Sequence, residues 1–460
     1  MAMRHKKLII IGAGIAGYNA ALRASSYGMD VALIEQYEIG GTCLNRGCIP
    51  TKTGIYIADE YRRLHESDKY GLYTRDVHID CHRMSSYIED TVRKLKSGVQ
   101  SLLESSSVDV IHGRAELLRE KRILIEGTDE IGYDNLIIAT GSEPVIPDTP
   151  GIDFEEVYTT DRAFDERFLT PDDVLILGGG VIGVEFAGMY SLLGARVHIV
   201  EKQDRLLPDM DSKVSELVRH RLEEKNAHTY LGYAVSEIER EDGELIVHIR
   251  KESEDIELPV GQMLISVGRS PRQDFIGELK EDIRTENGRI ITDNNHMTTA
   301  DGVYAVGDVS DVRQLAYLAQ KQAEDVVDYL ATGRACPIYD ILPRTIFFNP
   351  EMAVVGESED SLREKGISYR MGKSLMSSNG RAVLEQSTDG YVKVILDKAG
   401  ELIIGAELIC PHASEIIEVI YQFIVHKIKV KDILQYPFPH PVMIETIRDA
   451  MALANRSSVR

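Results

Sequence analysis

At 460 residues the chain exceeds what one hydrophobic core holds and suits about three domains of roughly 100–200 residues each. Hydrophobic residues at 43% and charged residues at 27% are globular values, which argue against a disordered chain or a membrane bundle. With 52 Lys and Arg against 74 Asp and Glu the formal net charge is −22, so nucleic acid and anionic membranes are poor partners, because phosphate binding needs clustered cations.

The N-terminal segment Met1-Ala2-Met3-Arg4-His5-Lys6-Lys7, followed by Leu8-Ile9-Ile10-Ile11, has the basic and apolar parts of a signal peptide. Gly12, Gly14 and Gly17 interrupt the apolar part, and no A-x-A-like cleavage site follows. No window reaches ~18 uninterrupted apolar residues. Five cysteines are too few for a disulfide scaffold, and the odd count leaves at least one thiol free. The expected location is cytoplasmic.

Leu8 to Ile11 predicts a short buried parallel strand. Gly12-Ala13-Gly14-Ile15-Ala16-Gly17 follows, then a helix to Tyr27 stopped by Gly28, then a strand Val31 to Ile34 ending at Glu35. Glycines of this kind let a backbone approach a pyrophosphate at a helix N-terminus, and the carboxylate accepts ribose hydroxyls. Next come Cys43 and Cys48, five apart. On a regular helix that spacing separates Cα atoms by about 8–9 Å, beyond the roughly 4.4–6.8 Å that a disulfide tolerates. The pair closes only if the backbone is irregular, and Gly47 supplies that freedom. Pro50 suits a first helical turn, which puts Cys48 near a helix N-terminus able to stabilise a thiolate. The competing reading is two buried, inert thiols.

The first pattern then returns. Val174 to Leu177 leads into Gly178-Gly179-Gly180-Val181-Ile182-Gly183, a helix, the strand Val197 to Val200, and Glu201. Gly12 to Glu35 and Gly178 to Glu201 each span 23 positions, 166 residues apart. One such turn is weak evidence; two in matching units point to two dinucleotide sites. A carboxylate at Glu201 favours NAD(H) over NADP(H), because it pairs with a free 2′-hydroxyl and repels a 2′-phosphate. The competing reading there is a solvated strand-end acid.

Thr42-Cys43-Leu44-Asn45-Arg46-Gly47-Cys48-Ile49-Pro50-Thr51-Lys52 resembles the redox-active signature of the flavin-dependent pyridine nucleotide–disulfide oxidoreductases. The Leu44-Asn45 pair is closer to the dihydrolipoamide dehydrogenase branch than to glutathione or mercuric reductases. Ala139-Thr140-Gly141-Ser142 resembles the end of the first flavin segment, and Ser266-Val267-Gly268-Arg269-Ser270-Pro271 the exit from the NAD domain. Ala300 to Asp308 resembles the second flavin motif, and His440-Pro441 with Glu445 resembles the family's acid/base segment.

The resemblance implies an α/β fold with two Rossmann-like dinucleotide-binding domains and a C-terminal α+β dimerisation domain. The boundaries it suggests are 1–145 and 269–342 for FAD, 146–268 for NAD, and 343–460 for the interface. It implies FAD held by Gly12, Gly14, Gly17, Glu35, Thr42, Lys52, Thr140, Gly141, Asp308 and Ala316. NAD would be held by Gly178, Gly180, Gly183, Glu201 and Gly268. It further implies a Cys43–Cys48 redox disulfide, with His440 as acid/base oriented by Glu445 and a Lys52–Glu185 ion pair beside the flavin. No metal is expected. A homodimer follows, with His440 completing the site of the other subunit. Lipoamide or a lipoyl domain would be the substrate, in a 2-oxo acid dehydrogenase or glycine cleavage complex. Cys81, Cys336 and Cys410 read as structural. Departures at Phe438-Pro439 and Arg313-Gln314-Leu315-Ala316-Tyr317 bear on substrate fit, whereas Ser378-Asn379-Gly380-Arg381-Ala382 again resembles the lipoamide branch. The alternatives are an NADH-dependent reductase of another disulfide or low-molecular-weight thiol, and a non-catalytic flavoprotein scaffold.

Overall fold

The computed structural model describes residues 4–460, so Met1 to Met3 of the basic N-terminal segment lie outside it. Three large sheets organise the chain. The first runs Val108–His112, Val31–Glu35, Arg4–Ile11, Asp129–Ile138, Arg122–Ile125, Ala115–Leu118 in spatial order. The first four are parallel neighbours, as expected for apolar runs covered on both faces. The first strand begins four residues before the apolar run, because Arg4, His5 and Lys6 continue the register against Ile131 to Tyr133. Arg4 and His5 reach Asp109 and Asp134 at 2.7 and 2.8 Å at the end of the sheet.

Much later in the chain, Val303–Ala305 returns to this same sheet and pairs in parallel with Leu136 to Ile138. That return is what carries Gly307 and Asp308 to the end of the sheet where the Gly12 turn lies. The second sheet, Ala227–Leu231, Arg196–Glu201, Asp173–Leu177, Gln262–Ile265, Val157–Thr159, is parallel throughout. An antiparallel ribbon of three strands, Ala234–Glu241, Glu244–Lys251 and Glu254–Val260, packs against it.

The third sheet is antiparallel, in the order Arg344–Ile346, Met352–Gly356, Ile403–Ile409, Tyr391–Asp397, Tyr369–Leu375. Helices Ala413–Val425 and Glu445–Arg456 cover one face with an aliphatic core. On the other side Ile346, Phe348 and Met352 join the core around helix Val181–Leu192. That helix is apolar nearly all round, the pattern of one buried between layers. Lys393, almost fully buried, bridges the same junction, with Glu407 at 3.0 Å, Glu359 at 3.3 Å and Asp211 at 3.7 Å. Burial works against its charge, but Glu407 and Asp211 outweigh it and raise the ammonium above its ordinary value. No helix among the described residues is long and apolar enough to cross a membrane.

Candidate active site

The two glycine turns match bond for bond. Gly12 N–H donates to Ile34 O at 2.8 Å, and Gly178 N–H to Val200 O at 2.8 Å. Both residues take positive φ, +97° and +110°, and a Cβ at either would strike the carbonyl of the neighbouring strand end, Ala139 or Ser266. Gly17 and Gly183 are crowded in the same way by the carbonyls of Gly12 and Gly178. The middle glycines differ: Gly14 has only Gly41 Cα near at 3.9 Å, and Gly180 has nothing within 4 Å. Gly14 and Gly180 are the N-caps of helices Ile15–Ser26 and Val181–Leu192, so amides without partners inside the helix begin there. Glu35 accepts from Ala13 and Tyr37 amides at 2.6 and 2.7 Å, and Glu201 from Gly179 and Gln203 at 2.6 and 2.8 Å. Each carboxylate keeps lone pairs for further donors. Gly268 lies in the turn after Gln262–Ile265, with its carbonyl bonded to Val145 N–H.

The cysteine segment forms two helices broken at Arg46 and Gly47: Gly41–Asn45, then Cys48–His65. The break brings the Cys43 and Cys48 Cα atoms to 4.7 Å, and the two form a disulfide. Cys48 opens the long helix, where unpaired amides and the helix dipole favour negative charge. Asn45 fastens the short helix through its carboxamide, donating to Ile39 O and Gly41 O. One turn on from Cys48, Lys52 meets Glu185 of the buried helix at 2.7 Å, and Glu185 is almost fully enclosed.

A single cavity of about 340 Å³ gathers these parts. Gly12, Gly14, Glu35, Thr42, Cys43, Cys48, Lys52, Thr140, Gly141, Glu185, Asp308 and Ala316 all line it. Asp308 accepts from Ser142 Oγ at 2.6 Å, and Thr140 Oγ1 is buried without a partner. Ala316 is the first residue of helix Ala316–Thr332. Gly17 lies buried behind the turn, and Gly178, Gly180, Gly183 and Glu201 form the second, separate turn.

His440 and Glu445 are paired but stand outside this cavity. The ring Nδ1 lies 3.0 and 3.2 Å from the Glu445 oxygens. A carboxylate accepts only, so Nδ1 carries the hydrogen and Nε2 is left free to take a proton. The Val442 amide, donating at 3.0 Å, holds the Glu445 carboxyl below the usual carboxylate range, against a lesser effect of burial and with His440 reinforcing it. The His440 side chain is 75% exposed in the single chain. Of the other thiols, burial pushes Cys336 up to about 11 and Cys410 up to about 12, and Cys81 Sγ sits 2.9 Å from Thr170 Oγ1.

Two supports of the site left little trace in the sequence. Phe347 donates its amide to Glu185 Oε1 at 3.0 Å, a main-chain contact that any residue could make. Asn379, noted only as part of a branch-like segment, ties the His440 loop: its amide group donates to Val442 O and Thr446 Oγ1, each at 3.0 Å.

Two dinucleotide turns, one sharing its cavity with a disulfide, define a two-nucleotide redox protein built around a thiol pair. Residues 6–323 match the family described as pyridine nucleotide-disulphide oxidoreductase, and residues 342–451 match its dimerisation domain. The chain belongs to that family. It is 32% identical to dihydrolipoyl dehydrogenase 3 of Haloarcula marismortui, over 98% of this chain and 97% of that one. It is 31% identical to a dihydrolipoyl dehydrogenase of Bacillus subtilis, over 98% of each. Among solved structures it is similar to the HOCl-induced flavoprotein disulfide reductase RclA of Escherichia coli, with a TM-score of 0.87 and 28% identity over 97% of this chain and 99% of that one. LpdA of Mycobacterium tuberculosis gives a TM-score of 0.90 at 25% identity, again over 97% and 99%.

The family's cofactors, FAD and NAD, suit the two units. The first offers helix N-terminal amides, Glu35, Asp308 and the orphaned Thr140 hydroxyl around one cavity that also reaches the disulfide. The second offers the helix N-terminus capped by Gly180, where a Cβ would meet nothing within 4 Å, and the Glu201 carboxylate.

Proposed function

We propose that the protein is a homodimeric dihydrolipoamide dehydrogenase, oxidising a dihydrolipoyl dithiol at the Cys43–Cys48 disulfide and delivering the electrons to NAD+. The observation that carries this reading is that Cys43, Cys48 and Lys52 share one cavity with Gly12, Glu35 and Asp308. The near full-length likeness to dihydrolipoyl dehydrogenases supports the substrate class.

One thiol of the substrate, deprotonated by His440 Nε2 of the partner protomer, attacks Cys43 Sγ. The Cys43–Cys48 bond breaks, Cys48 leaves as a thiolate at its helix N-terminus, and a mixed disulfide joins Cys43 to the substrate. The second substrate thiol then attacks the substrate sulfur of the mixed disulfide and its proton passes to the departing Cys43 sulfur; the bond to Cys43 breaks, cyclic disulfide is released and Cys43 is left as a thiol. Two electrons and two protons have passed to the enzyme. Bound FAD supplies the coupling between this dithiol chemistry and hydride exchange with a nicotinamide, which no side chain offers. The Lys52–Glu185 pair fixes a cation beside Cys48, and Glu445 holds the imidazole in the tautomer that accepts at Nε2. His440 stands outside the cavity of its own chain, which suits a site completed by the partner, and the dimerisation domain supports that assembly.

Turnover of dihydrolipoamide with NAD+ tests the assignment against oxidised glutathione with NADPH. The first pair is expected to be faster, and faster turnover of the second would overturn the substrate. The likeness to a flavoprotein disulfide reductase favours one other reading, an NADH-dependent reductase of a different disulfide. The departures at Tyr317 and Phe438 are the positions where such a difference would lie. For the nicotinamide unit, Glu201→Arg is expected to raise KM for NADH and lower it for NADPH. Unchanged kinetics with both nucleotides would remove Glu201 from that role.

A further inference from the structure

Helix Cys48–His65 presents more than its first cysteine to the junction with the C-terminal sheet. At 100° per residue, Cys48, Lys52 and Asp59 fall within about 40° of one another on the helix surface. The segment that follows strand Arg344–Ile346 touches this line twice. The Phe347 ring lies with its centroid 4.7 Å from Lys52 Nζ, and Asn349 Nδ2 donates to Asp59 Oδ1 at 2.6 Å. Between these contacts the Phe347 amide donates to Glu185 Oε1 at 3.0 Å, while Glu185 Oε2 holds Lys52 at 2.7 Å. Phe348 is packed against Gly188 of the buried helix, so the segment has little room to slide.

We propose that Phe347 is a positioning residue for the redox centre, through which the C-terminal domain sets the place of the Lys52–Glu185 charges beside Cys48. The carboxylate is gripped from two sides, by an ammonium and an amide, and the ammonium is gripped from two sides, by the carboxylate and an aromatic face. An ammonium over a ring is attracted by the ring quadrupole, more strongly where water is excluded. A cation held one helical turn from Cys48 lowers the free energy of its thiolate. Loss of the ring releases Lys52 to swing, and the thiolate loses part of that support. Asn349 acts at one remove, by keeping the segment seated on the helix.

The inference rests on the reading of Cys48 as the flavin-side thiol, and the test separates the two. The holoenzyme is reduced anaerobically with one equivalent of dihydrolipoamide, and the long-wavelength thiolate–flavin absorbance is followed against pH. For Phe347→Leu the pH midpoint of the band is expected to rise by about half a unit. Phe347→Tyr, which keeps the ring, should restore the parent midpoint, and Asn349→Ala should shift it in the same direction by less. A merely structural role would lower stability without moving the midpoint. A Phe347→Leu midpoint equal to the parent's, while Glu185→Gln shifts it, overturns the role of Phe347 alone. No such band in the parent protein removes the underlying reading instead. Should Phe347→Leu fail to fold, an Asn349→Ala midpoint equal to the parent's overturns the proposal.

Discussion

Cys48→Ser is expected to abolish dithiol oxidation with NAD+, lowering turnover on the order of 10⁴-fold or more, as when one member of a catalytic unit is removed. The protein should nonetheless fold and retain its flavin. Serine suits the start of a helix, and the position contributes no hydrophobic core. The loss follows from the bond that is missing. Without the Cys43–Cys48 bond there is no electrophilic sulfur for the substrate thiol to attack, and a hydroxyl oxygen offers no leaving thiolate. NADH oxidation by an artificial dye that takes electrons from the flavin should survive, because it needs only the two dinucleotide units. Stopped dithiol turnover with retained dye reduction is therefore the expected pair of results. A variant that kept its dithiol activity would remove the disulfide from the mechanism and favour a scaffold role.

The parts of this site legible in the sequence are those where backbone geometry restricts residue identity. Gly12 and Gly178 need positive φ under a neighbouring carbonyl, and Gly17 and Gly183 need the absence of a Cβ. Their spacing therefore recurs, and the recurrence reveals two units. The spacing of Cys43 and Cys48 says only that a bond between them needs a broken helix, and the break at Gly47 is what the structure contains; that the two pair came from the family resemblance. The charged start of the first strand was not legible, because hydrophobic periodicity is silent on charged residues that extend a strand beyond its apolar run. Phe347 was hidden because its bond to Glu185 runs through a main-chain amide. The closeness of Asp308 to Gly12 depends on the return of strand Val303–Ala305 to the first sheet. Periodicity does not contain that connection, and family resemblance supplied it.

His440→Gln should lower dithiol turnover by about 10²–10⁴-fold, the usual contribution of a positioned acid/base group, with little change in the unfolding midpoint. The ring is mostly exposed in the single chain, so its removal opens no cavity. Glutamine keeps a donor for Glu445 but has no basic nitrogen, so the loss should fall on proton transfer rather than on the loop. The two partners of the pair act differently. Glu445 sits below the usual carboxylate range, held there first by the Val442 amide. Its share of loop stability is thus complete above the unfolded value of about 4.3 and is lost as pH falls through the depressed native value. Across the neutral range its charge is constant, and a change of rate there cannot come from it. Turnover should therefore fall further in His440→Gln, which has no base, than in Glu445→Gln, where the imidazole remains but its tautomer is no longer fixed. If the two variants instead lost turnover equally, the carboxylate and the ring would be acting as one structural clasp, and the proton would have to leave the substrate thiol by another route.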